Sequence, residues 1–222
     1  MYRIINKDWE EVTFKMNEGQ LSLYRKEKEH KRIVILKARQ IGFTTYKIID
    51  KLDKCLFRKN TTVYIVAHKK EKLQEMFTKA KLAYERLPEQ IRLSDWTIWT
   101  KPKPKFDNKN EYYFPSMNSR IKITLDARSW TGTDFHISEL AFRRDAEDMM
   151  RATLPSAKNA NITVETTANG MNYFADFWER EQHENSRFKA FFIPWFTQKE
   201  YRRPIDERYK PLPELEYMKE KY

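Results

Sequence analysis

Cysteine, glycine and long apolar runs are all scarce in this 222-residue chain. The one cysteine, Cys55, excludes an internal disulfide framework and a Cys-rich zinc site, and it favours an intracellular compartment. No apolar run approaches the ~18 residues that a membrane-spanning helix needs. Asn6, Lys7 and Asp8 stand where a signal peptide would have its apolar stretch, so we expect a protein that is neither secreted nor inserted into a membrane.

Basic side chains outnumber acidic ones by 43 to 32, which gives a formal net charge of +11. An excess of this size suggests a polyanionic partner without identifying it. Hydrophobic residues make up 40% of the chain and aromatic residues 14%, so there is ample material for a core and the chain is not expected to be disordered. The length suits one large domain, or one domain with a short appendage.

Short apolar segments alternate with helical patterns along the chain. Six segments are strand candidates: 33–36, 61–67, 120–125, 135–137, 161–166 and 188–193. Residues 43–57 carry apolar side chains at helical spacing, and a second helical pattern runs from Leu73 until Pro88 ends it. This alternation predicts an α/β fold with a mostly parallel central sheet flanked by helices.

Residues 37–45, with the sequence KARQIGFTT, connect the first strand to the first of these helices. Backbone N–H groups converge at a helix start, and the helix dipole favours anions there. Against the phosphate-loop pattern G-x-x-x-x-G-K-[ST], Gly42 and Thr44 match, whereas Lys37 replaces the first glycine and Phe43 replaces the lysine. Lys37 or Arg39 could supply the missing cation, so we predict that the loop binds phosphate. The alternative is a basic connection with no ligand.

The stretch 39–45, RQIGFTT, resembles the deviant Walker A motif of phage large terminase subunits, the ATPase motors that pump double-stranded DNA into procapsids. The resemblance implies the P-loop NTPase fold of the additional-strand type, with ATP and Mg²⁺ as cofactors. Thr44 would bind Mg²⁺. The loop residues expected to bind the nucleotide are Lys37, Ala38, Arg39, Gln40, Ile41, Gly42, Phe43, Thr44 and Thr45.

The segment 135–139, FHISE, occupies the place of the Walker B motif in this family. Glu139 matches the carboxylate that activates the attacking water. Ser138 replaces the aspartate that usually holds Mg²⁺, and it is the second residue that we assign to the metal. A hydroxyl carries no charge, which makes the affinity for the metal the weakest part of this match.

The segment 166–170, TTANG, closely resembles the coupling motif of terminases. The resemblance implies that Thr166, Thr167 and Asn169 sense the γ-phosphate and pass the signal to the parts that grip DNA. A glycine at position 170 suits a turn with a positive φ angle.

Two further matches are less specific. Arg128 matches an arginine that acts as a finger on the nucleotide of a neighbouring subunit, where it would spread the charge of the transferred phosphoryl group. Its alternative role is an ion pair with Asp126 or Asp134. Asn17 and Gln20 resemble an adenine-recognition element, although Asn17 could equally be the N-cap of a helix.

The resemblance covers about residues 12–195 and implies the ATPase motor domain of a viral large terminase. Such a motor acts as a homo-oligomeric ring at the portal of a procapsid, with double-stranded DNA, the portal and the small terminase subunit as partners, in the host cell cytoplasm. We expect residues 1–195 to form the ATPase domain. Residues 196–222 would be a peripheral segment or a linker toward a nuclease domain absent from this chain, so DNA cleavage is not expected.

Two other functions stay open at this point. Phe43 and Ser138 favour a non-catalytic DNA-binding module with a degenerate nucleotide site. A helicase-like motor would share the fold, but the chain has no helicase signature, and analogy of fold is a weak argument.

Two clusters of charge remain outside these motifs. The lysines of 101–105 could neutralise DNA phosphates, or they could belong to a solvated loop that two prolines stiffen. Asp145, Glu147 and Asp148 stand among arginines, so we expect surface ion pairs there and not a second metal site. His136 lies in a buried-strand pattern and is expected to be structural.

Overall fold

The structure is a computed structural model that describes residues 1–108, 110–198 and 201. Across these residues the strands are β1 (Arg3–Ile5), β2 (Glu11–Thr13), β3 (Arg32–Lys37), β4 (Thr62–Val66), β5 (Gln90–Ser94), β6 (Thr97–Thr100), β7 (Phe106–Asn108), β8 (Glu111–Phe114), β9 (Ser119–Thr124), β10 (Asp134–Ser138), β11 (Asn161–Thr166) and β12 (Lys189–Ile193). The helices are α1 (Glu18–Glu29), α2 (Phe43–Phe57), α3 (Lys70–Glu85), α4 (Ala146–Ser156) and α5 (Tyr173–Arg180). Short 3-10 turns lie at Pro115–Met117, Leu140–Phe142 and Trp195–Thr197.

Eight strands form the central sheet in the order β12-β3-β11-β10-β4-β9-β8-β7. The first six are parallel, and β8 and β7 extend the sheet in the antiparallel sense. The six strand candidates of the sequence all lie in the parallel part, so the prediction of a mostly parallel sheet is confirmed. Because parallel strands end at a common edge, the loops that follow β3, β10 and β11 meet there.

Helices cover both faces of this sheet. In β4, Val63 and Ile65 lie in a buried cluster with side chains of α2 and α3, whereas Tyr64 and Val66 lie in a second cluster with side chains of α4 and α5. Full burial of each large apolar side chain contributes about 1.5–3 kcal/mol, so these clusters hold the helices to the sheet. Burial on both faces also explains why β3 and β4 contain unbroken apolar runs.

The sequence patterns did not predict two small hairpins, β1–β2 and β5–β6. Their strands are three to five residues long and carry many polar side chains. In the second hairpin Leu93, Trp96 and Ile98 remain exposed, so no buried face imposes an alternating pattern. Within the described ranges, no helix has the length and apolar character needed to cross a bilayer.

A buried ionic cluster anchors α2, the helix that follows the loop. Lys47 contacts the carboxylate of Glu27, and the Nζ atoms of Lys51 and Lys54 lie 2.8 and 2.7 Å from Asp134 Oδ1. Burial alone would raise the pKa of Asp134, but the charges of Lys51 and Lys54 outweigh burial and lower that pKa. The helix is therefore fixed by charge as well as by apolar contacts.

Candidate nucleotide site

The loop at 38–42 has a backbone built for a tight turn between β3 and α2. Gly42 is the N-cap of α2 and adopts φ 75° and ψ 13°, the left-handed region that glycine enters without a steric penalty. Gln40 also has a positive φ, of 56°. The N–H of Ala38 donates to the carbonyl of Ile193 in β12 at 3.0 Å, which ties the loop to the neighbouring strand.

The positions of three side chains in and beside the loop show which candidate cation faces the acidic residues. Phe43, at the position of the usual lysine, is buried in a core cluster with Leu23 and Ile35. Lys37 is also buried, and its Nζ atom lies 3.2 Å from Glu139 Oε1. Arg39 is exposed and is one of the residues that line the adjacent cavity. The structure thus places the ammonium group of Lys37, and not the guanidinium of Arg39, against the acidic residues.

Glu139 directly follows β10 and adopts φ 55° and ψ 48°, an uncommon conformation for a residue other than glycine. Its Oε2 atom accepts hydrogen bonds from Thr166 Oγ1 and from the backbone N–H of Thr167, both at 3.2 Å. With Lys37 on the other oxygen, the carboxylate is held from two sides. It nevertheless lines the cavity, so it can meet a bound ligand.

Glu165 is a second carboxylate at this site, and the sequence analysis missed it. Its side chain is fully buried at the end of β11, where Oε1 accepts hydrogen bonds from Ser138 Oγ at 3.0 Å and Thr44 Oγ1 at 3.2 Å. Its Oε2 atom lies 3.4 Å from Lys37 Nζ. An ionisable residue inside a strand expected to be buried was the available signal, because such a group is buried only with partners.

Lys37 and Glu165 stabilise each other's charged forms. Burial alone would raise the pKa of Glu165, but the positive charge of Lys37 outweighs burial and lowers this pKa to about 2. Burial alone would lower the pKa of Lys37, but the charges of Glu165 and Glu139 raise it above its ordinary value. His136, 3.4 Å from Glu165 Oε1, is fully buried, and burial lowers its pKa. The imidazole is therefore neutral at pH 7, which agrees with the structural role expected for it.

The three coupling residues surround the turn that carries Glu139. Thr166 and Thr167 contact its carboxylate, and Asn169 Nδ2 donates to the carbonyl of Ala141 at 2.9 Å. Asn172 donates to the same carbonyl at 2.9 Å while its Oδ1 atom accepts from the first N–H groups of α5. The N–H of Ala141 donates to Thr166 Oγ1 at 3.3 Å, so a path of hydrogen bonds runs from Glu139 through Thr166 and Ala141 to the start of α5.

Asn17 and Gln20 brace the loop from the start of α1. They form a capping box with each other, which confirms the N-cap alternative for Asn17. Gln20 Nε2 donates to the carbonyl of Gly42 at 2.9 Å, and Asn17 Nδ2 donates to the carbonyl of Ile41 at 3.2 Å. Both ends of the Gln20 amide are thus in use, so contact with an adenine would require one of these bonds to be exchanged. The adenine role stays a prediction.

Gly42→Ala is expected to lower the free energy of unfolding more than Gly170→Ala does, although both glycines have φ near 70°. Each substitution costs about 1–2 kcal/mol for the left-handed backbone. At Gly42 the new Cβ would also lie 2.8 Å from Gln20 Nε2, whereas at Gly170 no atom lies within 4 Å. Loss of the brace adds about 0.5–1.5 kcal/mol. Urea denaturation of both variants checks this difference, and equal losses of stability would contradict a bracing role for Gln20.

Arg128 pairs with two acidic side chains of its own chain. Its Nη2 atom lies 2.6 Å from Asp145 Oδ2, and Nη1 lies 3.5 Å from Asp126 Oδ2. Asp134, the other proposed partner, binds lysines of α2 instead, so that alternative was wrong. Asp145 also pairs with Arg143, so the surface ion pairs expected in this segment are present. The arginine is partly exposed, and the finger role stays a prediction.

Lys101 belongs to the core and not to a surface for DNA. It is buried, and its Nζ atom donates to the carbonyl of Leu87 at 3.1 Å, just beyond the end of α3. This corrects the hypothesis that all the lysines of 101–105 could contact phosphates. Lys103 and Lys105 are exposed.

Only a small part of the predicted C-terminal segment, 196–222, lies within the described residues. The 3-10 turn Trp195–Thr197 crosses the predicted boundary at 195, and the hydroxyl of Tyr201 donates to the carbonyl of Arg39 at 3.0 Å. The division at residue 195 stays a prediction, because residues 199–200 and 202–222 lie outside the described part.

The oxygen atoms at this site fit a magnesium ion. The residues that line a cavity of about 450 Å³ include Thr44, Ser138, Glu139, Thr167 and Arg39. Mg²⁺ prefers oxygen ligands, and in nucleotide sites it is held by one or two protein groups together with phosphates. Among the described residues no group of three or more acidic, histidine or cysteine side chains could hold a metal alone. The phosphates would therefore have to complete the coordination.

The fold and the site together define the class. A parallel sheet in which β11 lies between β3 and β10, a tight loop before α2 and a carboxylate after β10 make this a P-loop NTPase fold of the additional-strand type. The model of the family described as "Terminase large subunit, T4likevirus-type, N-terminal" matches residues 34–216. The chain therefore belongs to the terminase large subunit family, as the motifs predicted.

Two solved structures resemble this chain over most of its length. The large terminase ATPase domain of Thermus phage P74-26 is 18% identical, with a TM-score of 0.57 and 81% of each chain covered. The large terminase of bacteriophage HK97 is 15% identical, with a TM-score of 0.58, and the match covers 82% of this chain and 40% of that one. At these identities the similarity establishes the fold.

Proposed function

We propose that this chain hydrolyses ATP and uses the energy to translocate double-stranded DNA into a viral procapsid. One observation carries the proposal. Lys37, Thr44 and Glu139 come together with Glu165 where three parallel strands end, beside an open cavity. A cation, a hydroxyl and a carboxylate in this arrangement are the parts that phosphoryl transfer requires. The ATPase domain of the Thermus phage terminase, which shares the fold, supports the same proposal.

In this mechanism the loop 37–45 binds the phosphates with its backbone N–H groups and with Lys37. An ammonium group has three donors, so Lys37 retains one for a phosphate oxygen while it contacts both carboxylates. Glu139 Oε1 accepts only one hydrogen bond from Lys37, so its second lone pair can accept a proton from water. Glu139 then orients and activates the attacking water. Mg²⁺, when bound through Thr44, neutralises charge on the phosphates.

Coupling would start at the same carboxylate. Thr166 and Thr167 hold Glu139, so a shift of its side chain during turnover changes their hydrogen bonds. Asn169 and Asn172 both bind the carbonyl of Ala141, and Asn172 caps α5. We propose that α5 receives the signal in this way and that DNA-gripping parts respond to it.

The remaining proposals concern partners and place. The net charge of +11 supports a polyanionic partner, and double-stranded DNA is the one that fits a packaging motor. A homo-oligomeric ring, the portal and the small terminase subunit would complete the machine in the host cytoplasm. Residues 1–195 would form the motor domain, and 196–222 would form a peripheral segment or a linker toward a nuclease domain. Asn17 and Gln20 would lie nearest the adenine.

Binding and hydrolysis of ATP by the purified chain test this function. We expect ATP to bind in a Mg²⁺-dependent manner, and hydrolysis to rise when rings assemble with DNA. A fluorescent ATP analogue measures the first, and phosphate release measures the second. DNA binding without nucleotide binding at millimolar ATP would instead support the alternative, a DNA-binding module with a degenerate site.

Arg128→Ala is expected to abolish hydrolysis in assembled rings without loss of ATP binding. An arginine that acts across a subunit interface contributes about 10³–10⁵-fold to turnover. Mixed rings of Arg128→Ala and Glu139→Gln subunits should regain activity, because some interfaces then combine an intact arginine with an intact Glu139. Phosphate release from such mixtures checks this.

Arg151→Ala is the matched control, since Arg151 forms a comparable exposed pair with Glu147. This variant should keep normal activity. If mixing restores no activity to Arg128→Ala, the arginine serves only its ion pair with Asp145.

A further inference from the structure

An acidic residue is missing where the fold would place one, and another fills the space. The last residue of β10 is Ser138, whose hydroxyl donates to Glu165 Oε1 at 3.0 Å. In the sheet, Ser138 is paired directly with Glu165 of β11 in a parallel ladder. Residues paired in this way project from the same face of neighbouring strands. The Glu165 carboxylate therefore reaches across from the next strand to the position that the end of β10 leaves without charge.

We propose that Glu165, acting through its contact with Thr44, supplies the negative charge beside the Mg²⁺ site that Ser138 cannot supply. The inference rests on the proposed function, because it assumes that Mg²⁺ and ATP bind at the loop. Its chemical basis is the contact between Thr44 Oγ1 and Glu165 Oε1 at 3.2 Å. In P-loop NTPases the loop hydroxyl and an acidic side chain hold Mg²⁺ together.

Burial and hydrogen bonding distinguish the role of Glu165 from that of Glu139. Glu165 is fully buried behind Thr44 and Ser138, whereas Glu139 lines the cavity. Only Glu165 accepts a hydrogen bond from the hydroxyl of the loop. The two carboxylates thus divide the work: Glu139 faces the attacking water and Glu165 stands beside the metal. Glu165 acts through Thr44 and is a positioning residue.

A purely structural carboxylate would also pair with Lys37, so the test must separate the two roles. The quantity to measure is the factor by which Mg²⁺ strengthens binding of a fluorescent ATP analogue, compared with EDTA. Glu165→Gln is expected to reduce this factor at least ~10-fold, because outer partners of a metal site change its affinity by 10–100-fold. The affinity of Glu165→Gln for the analogue in EDTA should not fall, because the substitution removes a negative charge near the phosphates.

Two further variants make the result decisive. Ser138→Asp combined with Glu165→Gln returns a carboxylate to the end of β10 while Glu139 stays beside Lys37, so it should fold and recover the dependence on Mg²⁺. Glu27→Gln removes the carboxylate partner of the buried Lys47, and it should lower stability without changing the Mg²⁺ factor.

Each outcome points to a different conclusion. A reduced Mg²⁺ factor in Glu165→Gln that the double variant restores supports the proposal. An unchanged factor in Glu165→Gln overturns it and leaves the ATPase function standing. An equal loss of affinity with and without Mg²⁺ assigns Glu165 to structure alone. If Glu165→Gln does not fold, a double variant that folds and binds ATP without a Mg²⁺ effect overturns the proposal. Absence of ATP binding by the wild-type chain overturns both this inference and the proposed function.

Discussion

Glu139→Gln is expected to lower the rate of ATP hydrolysis by about 10²–10⁴-fold and to leave ATP affinity within a few-fold of the wild type. The amide cannot take a proton from water, so activation of the nucleophile is lost. The shape of the side chain is retained, and the amide oxygen can still accept the hydrogen bonds that Thr166 and Thr167 now donate. The turn after β10 should therefore keep its conformation.

Single-turnover phosphate release and equilibrium binding of an ATP analogue measure the two quantities separately. Glu147→Gln is the matched control, because it makes the same chemical change in an exposed pair with Arg151. The control should hydrolyse ATP normally. Normal turnover in Glu139→Gln would exclude this carboxylate as the base, and a parallel loss of ATP binding would show that it acts mainly on Lys37.

The fold was predictable because its strands are buried on both faces. Runs such as 33–36 and 61–67 are apolar and β-branched wherever helices cover both sides of the sheet, and these were recognised. The β5–β6 hairpin was not, because its large side chains stay exposed and no buried face selects a pattern. Burial alone did not decide the outcome, because the four-residue strand β8, with the buried Tyr112 and Phe114, was also missed.

The site was predictable only where its residues are contiguous in the chain. The loop 37–45 and the segment 166–170 are local motifs, so a short match located them. Glu165 contributes through contacts with Thr44 and Ser138, which lie 121 and 27 residues away. These contacts exist because β11 lies between β3 and β10 in the sheet. The order of strands in a parallel sheet cannot be predicted from the spacing of residues in a short segment.

The choice between Lys37 and Arg39 illustrates the same limit. The two residues are equally basic and stand in one loop, so the sequence left both open. The structure separates them because Lys37 is the last residue of β3, facing the ends of β10 and β11, whereas Arg39 lies in the exposed turn. Lys101 shows the opposite error, since a lysine in a basic segment proved to be buried against the end of α3.

Lys37→Met is expected to lower both ATP affinity and the free energy of unfolding, and to reverse the way stability depends on pH. The variant retains much of the apolar volume but removes the cation between Glu139 and Glu165. Removing one partner of a buried pair costs about 3–5 kcal/mol, because the other charge stays buried without compensation. Phosphates would also lose the one buried cation found at the loop among the described residues.

The pH dependence follows from Glu165. In the wild type its pKa is about 2, below the ordinary value of about 4.3, so its favourable contribution is present above pH ~4.3 and is lost as the pH falls toward 2. Without Lys37, burial dominates and raises this pKa above its ordinary value. The folded variant then binds a proton more readily than the unfolded chain, so its stability must increase as the pH falls from neutral toward 5.

Urea denaturation at pH 7 and pH 5 distinguishes these cases. Between pH 7 and pH 5, Glu165 should change the stability of the wild type little, because it is ionised in both the folded and the unfolded states. Lys37→Met should gain stability at pH 5. Lys37→Met combined with Glu165→Gln should recover part of the loss at pH 7, and the gain at pH 5 should shrink, since the buried charge is gone. If Lys37→Met loses stability at pH 7 but gains none at pH 5, Lys37 contributes packing and not charge compensation.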